Sequence, residues 1–326
     1  MRADISVLLL TTLIGVGQGF FLAIFTVQLY ALFGLLSPQD GHAFYAYGSL
    51  VALAFLVAGL AASFFHLGRP QRAWRAAAMW RTSWLSREVI VLPAFMGIVF
   101  AFGLAHFVGF KPVLVTLPSG IEIDSTVVLG TLGTILAFAL FVCTAMIYAC
   151  LPFLREWASP LTVINYILLG GASGFTFAAA FAGWIGSDLA RFFAGWAFVI
   201  TLLGFASRVA SLIRNSRLKP KSTLQTAVGI KHPRIVQKAM GFMGGSFNTG
   251  EFFHGKSNSM LRFVKWIFLA AAFAIPALLL AASLAGAPTS LLSLAFGVQY
   301  VGLLAERWFF FAQANHPQNL YYQAVA

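Results

Sequence analysis

"FFHLGRPQRAWRAAAMWRTSWLSREVI" (residues 64–90) sets five arginines, a histidine and a glutamate between two long apolar runs. Dense charge bounded on both sides by segments with almost none marks a connection between membrane-spanning helices. Composition agrees. The chain has 326 residues, is 60% hydrophobic and 9% charged, and has a mean hydropathy of +0.86. A soluble protein carries about 25% charged residues. The net charge of +12 would point to nucleic acid in a soluble chain. Here the cations flank apolar runs, so the membrane accounts for them and no nucleic-acid partner is expected.

Outward from this stretch, the runs can be counted at about 20 residues per crossing. They lie near 6–35, 46–66, 88–109, 126–151, 161–183, 189–212, 264–285 and 290–312. The predicted fold class is all-α, a polytopic membrane protein of eight transmembrane helices in one integral domain over 1–326. Only Gly183 to Asp188 separates the fifth run from the sixth. The first run is too long for a signal-peptide core and has no small-residue cleavage site after it, so it is expected to be retained.

Eight crossings put both termini and the even-numbered connections on one side. Of the 21 lysines and arginines, all but Lys111 and Arg191 fall on that side, including the cluster from Arg208 to Lys265. Acidic residues divide nearly evenly. The bias is cationic, which predicts cytoplasmic termini.

The opening stretch is then the cytoplasmic connection between the second and third helices. Arg69, Arg72 and Arg75 alternate with Trp74, and Arg81 and Arg87 with Trp80 and Trp84. Such residues suit the headgroup layer, where arginine meets anionic lipid and tryptophan buries its ring with a wet N–H. His66 and Glu88 exceed that explanation. Both stand at the edge of the hydrocarbon, where ionisable groups are costly and functional use is the default. Histidine exchanges protons near neutral pH, and a carboxyl accepts or donates them. The alternative has Glu88 paired with Arg81 or Arg87, and His66 capping a helix.

"AERWFFFAQANHPQNLYYQ" (305–323) repeats the pattern, with Glu306 and Arg307 inside the last span and His316 at its end. Charges at such depth face protein or water and usually pair. In "GVGQGFF" (15–21) Gln18 is a mid-membrane amide among glycines, a setting for close helix packing or for a ligand carbonyl.

"GEFFHGKS" (250–257) matches the phosphate-loop pattern letter for letter. That mechanism needs a strand before it and a phosphate-facing helix after it. Neither is expected, and nucleotide binding is set aside. Cys143 and Cys150 lie about 10 Å apart along one helix, too far for a disulfide, and no cysteine set suits iron–sulfur or zinc. Bis-histidine haem needs two histidines at one depth. His106 belongs to the opposite face, and His66 and His316, which share a face, both sit at the rim, so no haem is expected. The connection 214–262 is long and basic. Its aromatic "GEFFHG", with Glu251, His254 and Lys256, reads as a partner-docking element; a disordered tether is the other reading.

"HLGRPQRAWRA…WRTSWLSRE" (66–88), "FNTGEFFHG" (247–255) and the 305–323 segment together resemble the membrane-anchor subunits of the dimethyl sulfoxide reductase family, which are related to the NrfD-like anchors. The resemblance covers essentially the whole chain. It implies a haem-free, non-catalytic subunit in a bacterial inner membrane. Such a subunit exchanges electrons between menaquinone or ubiquinone and an iron–sulfur partner of the four-cluster ferredoxin type. That partner leads to a molybdopterin catalytic subunit, so the iron–sulfur clusters and the molybdenum lie outside this chain. The family's functional histidine and glutamate correspond to His66 and Glu88. With Gln18, Arg69, Arg81, Glu306, Arg307 and His316 they form the expected quinone and proton-handling set. The expected complex is an S- or N-oxide reductase. The long sixth connection and the extended Arg/Trp stretch look more like the branch serving sulfite dehydrogenases, which is the alternative. A secondary transporter would show two halves with matching broken helices, and none is seen.

Overall fold

A computed structural model describes residues 2, 4–219, 223–236 and 255–317. Polar caps start several of the helices. The Asp4 carboxylate accepts from Ser6 N (3.2 Å) at the head of α1, Ile5–Leu32. The Ser83 hydroxyl accepts from Ser86 N at the head of α3, Trp84–Val108. Asp124 takes the backbone N–H groups of Thr126 (2.8 Å) and Val127 (3.0 Å) at the head of α4, Ser125–Ala149. Each cap satisfies donors that a helix start otherwise leaves without partners. Between α1 and α3 runs α2, Gly41–Phe64, whose first turn is π-helical. A 3-10 segment, Pro70–Met79, follows it with no buried residue. After α4 come α5, Pro160–Trp184, and α6, Ala190–Ser216. Gly186, at φ +69°, turns the chain between them, and its missing Cβ permits that left-handed backbone. A single turn, α7, spans Leu224–Val228. It precedes α8, Asn258–Leu284, and α9, Ser290–Ala312.

Among the described residues, seven helices (α1–α6 and α8) are long and apolar enough to cross a membrane. The eighth expected span is α9, of 23 residues. Its apolarity is diluted by Gln299, Glu306 and Arg307, all of them buried. One feature departs from an all-helical chain. Val113–Thr116 (β1) and Glu122–Asp124 (β2) pair as an antiparallel hairpin, Val115 opposite Ile123. The segments "VLVT", rich in β-branched residues, and "EID" flank Gly120, which turns at φ +81°.

The helices α1 and α5 are the most enclosed. Glycine explains their contact. A Cβ on Gly19 would stand 2.2 Å from Gly170 O, and one on Gly174 would stand 2.1 Å from the Gly19 carbonyl carbon. Gly15 and Gly19 thus cross Gly170 and Gly174 backbone to backbone, two small-xxx-small faces in register. Phe20 fills the space beside the crossing, edge-on to Phe177 (4.8 Å) and Phe181 (5.3 Å).

Candidate functional site

A layer of buried polar side chains lies inside the arginine-rich end of the bundle. Glu88 is four residues from the start of α3 and Tyr166 six from the start of α5. Thr144 and Arg307 are each five from the ends of α4 and α9. At 1.5 Å per residue they share a depth of roughly 6–9 Å. With Thr11, Thr12, Gln18 and Ser173 they line a cavity of about 20 Å³, room for roughly one water.

The two carboxyls of this layer are held differently. Glu306, fully buried, lies between two guanidiniums: Arg208 Nε is 2.7 Å from Oε1 and Arg307 Nε is 3.5 Å from Oε2. Arg208 is itself 1% exposed and stacks near Phe268 and Phe309. The two guanidiniums supply this carboxyl with opposite charge inside a dry interior. Glu88 is 7% exposed, and its Oε1 accepts from the Thr144 hydroxyl at 2.6 Å. No arginine or lysine among the described residues ion-pairs with it. Its described partner is thus a hydroxyl rather than a cation. Glu306 is therefore held by cations, and Glu88 by a hydroxyl.

Arg307 joins the two. Its guanidinium lies 3.8 Å from the centre of the Tyr166 ring while its side chain lines the cavity. Gln18, 2% exposed, donates its amide N–H to Ala137 O at 2.8 Å and so ties α1 to α4 at the cavity's deep end. Toward the arginine-rich surface the layer is roofed by packed aromatics. Trp157 stacks on Phe310 (5.4 Å), and Tyr148 meets Phe311 edge-on (5.3 Å). The Trp157 indole N–H donates to Phe310 O at 2.8 Å and locks this roof.

The structure brings Gln18, Glu88 and Arg307 to one cavity, with Glu306 behind Arg307. The remaining expected site residues lie at the surface. His66 Nδ1 is 3.1 Å from the Ser6 hydroxyl, which also contacts Asp4 (3.1 Å). Partial burial pushes the His66 imidazole below its usual range, against the opposing pull of Asp4. Arg69 and Arg81 are exposed, and Arg81 lies over the Trp80 ring at 5.3 Å. His316 packs against Phe153, 5.6 Å between ring centres. The alternative, Glu88 paired with Arg81 or Arg87, does not occur. Arg87 instead donates to the backbone oxygens of Trp80 (2.9 Å) and Arg81 (2.8 Å). Of the expected docking residues, Glu251 and His254 fall outside the described residues. Lys256 precedes Ser257, whose hydroxyl caps α8.

Arg208 escaped the sequence reading. Assigning it to a surface cluster is corrected by its burial. The span was expected to end at residue 212, yet α6 runs to Ser216, which puts Arg208 two turns inside. The signal was present: "TLLGFASRVASL" (201–212) holds one arginine in an otherwise uncharged run. Among the described residues no three His, Cys, Asp or Glu side chains gather as a metal site.

Glu88 and Arg307, which face this cavity, come from the 66–88 and 305–323 segments on which the resemblance was drawn. The family model described as DMSO reductase anchor subunit (DmsC) matches residues 1–311. The chain belongs to this family of anchor subunits. It is also 57% identical over 326 residues, covering all of both chains, to a sulfite dehydrogenase subunit of Allochromatium vinosum. The anchor is thus a multi-pass membrane subunit of a multi-subunit oxidoreductase.

Proposed function

We propose that this anchor passes electrons from an iron–sulfur partner to membrane quinone in a sulfite-oxidising molybdenum complex. The observation that carries it is the juxtaposition of Glu88 and Arg307 at one enclosed cavity. The full-length similarity to a sulfite dehydrogenase subunit supports sulfite oxidation over the S- or N-oxide reductase expected first. Quinone supplies a two-electron carrier that also takes two protons. The lining suits its oxygens in chemistry, with an acid, a guanidinium and hydroxyls. A volume near one water does not admit the ring, so a wall must move when it binds. Glu88, oriented by Thr144, holds a proton where reduction consumes one. Arg307 sets a positive charge where negative charge develops. Gln18 fixes the helix spacing at the inner end.

The arginine-rich end, with both termini, faces the cytoplasm of a bacterial inner membrane, and the iron–sulfur partner docks there. The exposed 3-10 segment around Arg72 and Arg75, together with the basic sixth connection, supplies positive surface for that partner or for anionic lipid. The test is sulfite-dependent quinone reduction by the purified complex. Glu88→Gln removes the exchangeable proton but keeps the side-chain shape. It is expected to lower quinone reduction about 10²-fold while sulfite oxidation with an artificial soluble acceptor continues. An undiminished quinone rate refutes the assignment. S- or N-oxide reduction with sulfite inactive returns the complex to the other branch.

A further inference from the structure

Arg208, Glu306 and Arg307 carry two positive charges and one negative, a net of one positive charge in a dry interior. Burying such a set is costly, and hydrophobic residues of similar volume often serve stability as well or better. Only Arg307 of the three lines the cavity. The other two lie behind it, with Arg208 on α6 and Glu306 beside Arg307 on α9. An arginine has several rotatable bonds, and stacking on Tyr166 alone leaves the guanidinium free to slide across the ring. The carboxylate that Arg208 holds at 2.7 Å fixes Arg307 from the side away from the cavity.

We propose that Arg208 is a positioning residue. Through Glu306 it holds the Arg307 guanidinium over the Tyr166 ring, so that one fixed positive charge faces an anionic oxygen of the bound electron acceptor. The proposal rests on the assignment of a quinone to this cavity. It extends that assignment by naming the device behind the cavity wall and the charge state of the ligand it favours.

Two ring compounds of nearly equal size separate the outcomes: a hydroxynaphthoquinone, ionised at neutral pH, and its uncharged methoxy counterpart. Their binding to the detergent-solubilised full-length chain is read by quenching of tryptophan fluorescence, without turnover. The chain as it stands is expected to favour the anion by about tenfold or more, the strength of a hydrogen bond to a charged partner. The decisive variant is the double substitution Arg208→Met with Glu306→Leu. It keeps the net charge at one positive, so it tests position rather than charge, and binding of the methoxy compound checks that the fold is intact. The expected result is a preference reduced to near unity, with binding of the methoxy compound unchanged. Arg208→Met alone, which neutralises the set, is expected to do the same. A preference that survives the double substitution overturns the positioning role. Equal binding of both compounds by the unsubstituted chain overturns the charge assignment and leaves the quinone site standing. Binding of neither compound removes the quinone site itself.

Discussion

Replacing Glu306 by glutamine tests the contrast between the two buried carboxyls most directly. Glu306 is fully buried, 2.7 Å from Arg208 and 3.5 Å from Arg307. The amide keeps the volume and deletes the only negative charge, which leaves two guanidiniums facing each other without a counter-ion. Removing one member of a buried ion pair costs about 3–5 kcal/mol. At roughly 2–4 °C per kcal/mol for a chain of this order, the midpoint should fall by about 10 °C. Glu88→Gln is the control. Glu88 has a hydroxyl partner and no cation, and glutamine still accepts from Thr144, so the expected loss is under about 1 kcal/mol. Thermal unfolding of the two variants in one detergent, followed by tryptophan fluorescence, gives the comparison. Equal midpoints, or a larger loss in Glu88→Gln, would refute the contrast between a cation-paired Glu306 and a hydroxyl-bonded Glu88.

Gly19→Leu should abolish assembly, because even a Cβ there stands 2.2 Å from Gly170 O. Size-exclusion chromatography checks it, and a native-like elution would contradict the helix crossing. A membrane-permeant maleimide should label Cys150, which is exposed, and spare the buried Cys143; mass spectrometry of the labelled peptides reads the ratio. Acid should weaken the tie between the start of α1 and the end of α2. Burial lowers the folded pKa of His66 below its ordinary value, so the unfolded chain takes up the proton first. The stability contributed is therefore present above about pH 6.5 and is lost as pH falls from there toward the folded value. His66→Gln should flatten the midpoint-against-pH curve in that window, and an unchanged slope would exclude the histidine.

Much of the bundle is legible from hydropathy alone, because a span must be apolar over a length that the bilayer fixes. The narrow gap at 183–188 does separate two helices, as the glycine at 186 permits. Depth was harder to read. Capping by Ser83 begins α3 one turn before the expected residue 88, and α6 continues one turn past 212. Those shifts carry Glu88 and Arg208 from the rim into the interior. The joins that build the site were not legible at all. Glu88 to Thr144 and Gln18 to Ala137 link helices far apart in sequence and leave no local period. The hairpin at 113–124 lies in a connection too short for hydropathy counting to resolve. The glycines of "GVGQGFF" were visible, but nothing in the sequence named α5 as the surface they meet.

That meeting has a consequence for how the chain is made. Gly19 leaves the ribosome roughly 150 residues before Gly174, an interval of about 8–30 s at ~5–20 residues per second. Throughout it the glycine face of the first helix is unmatched, and until Ala137 of the fourth is made the Gln18 amide also lacks its carbonyl. Biogenesis must therefore hold this helix near the insertion machinery until the fifth arrives. A nascent chain stalled before residue 174 should remain crosslinkable there through its first helix, and one stalled beyond the fifth should be released.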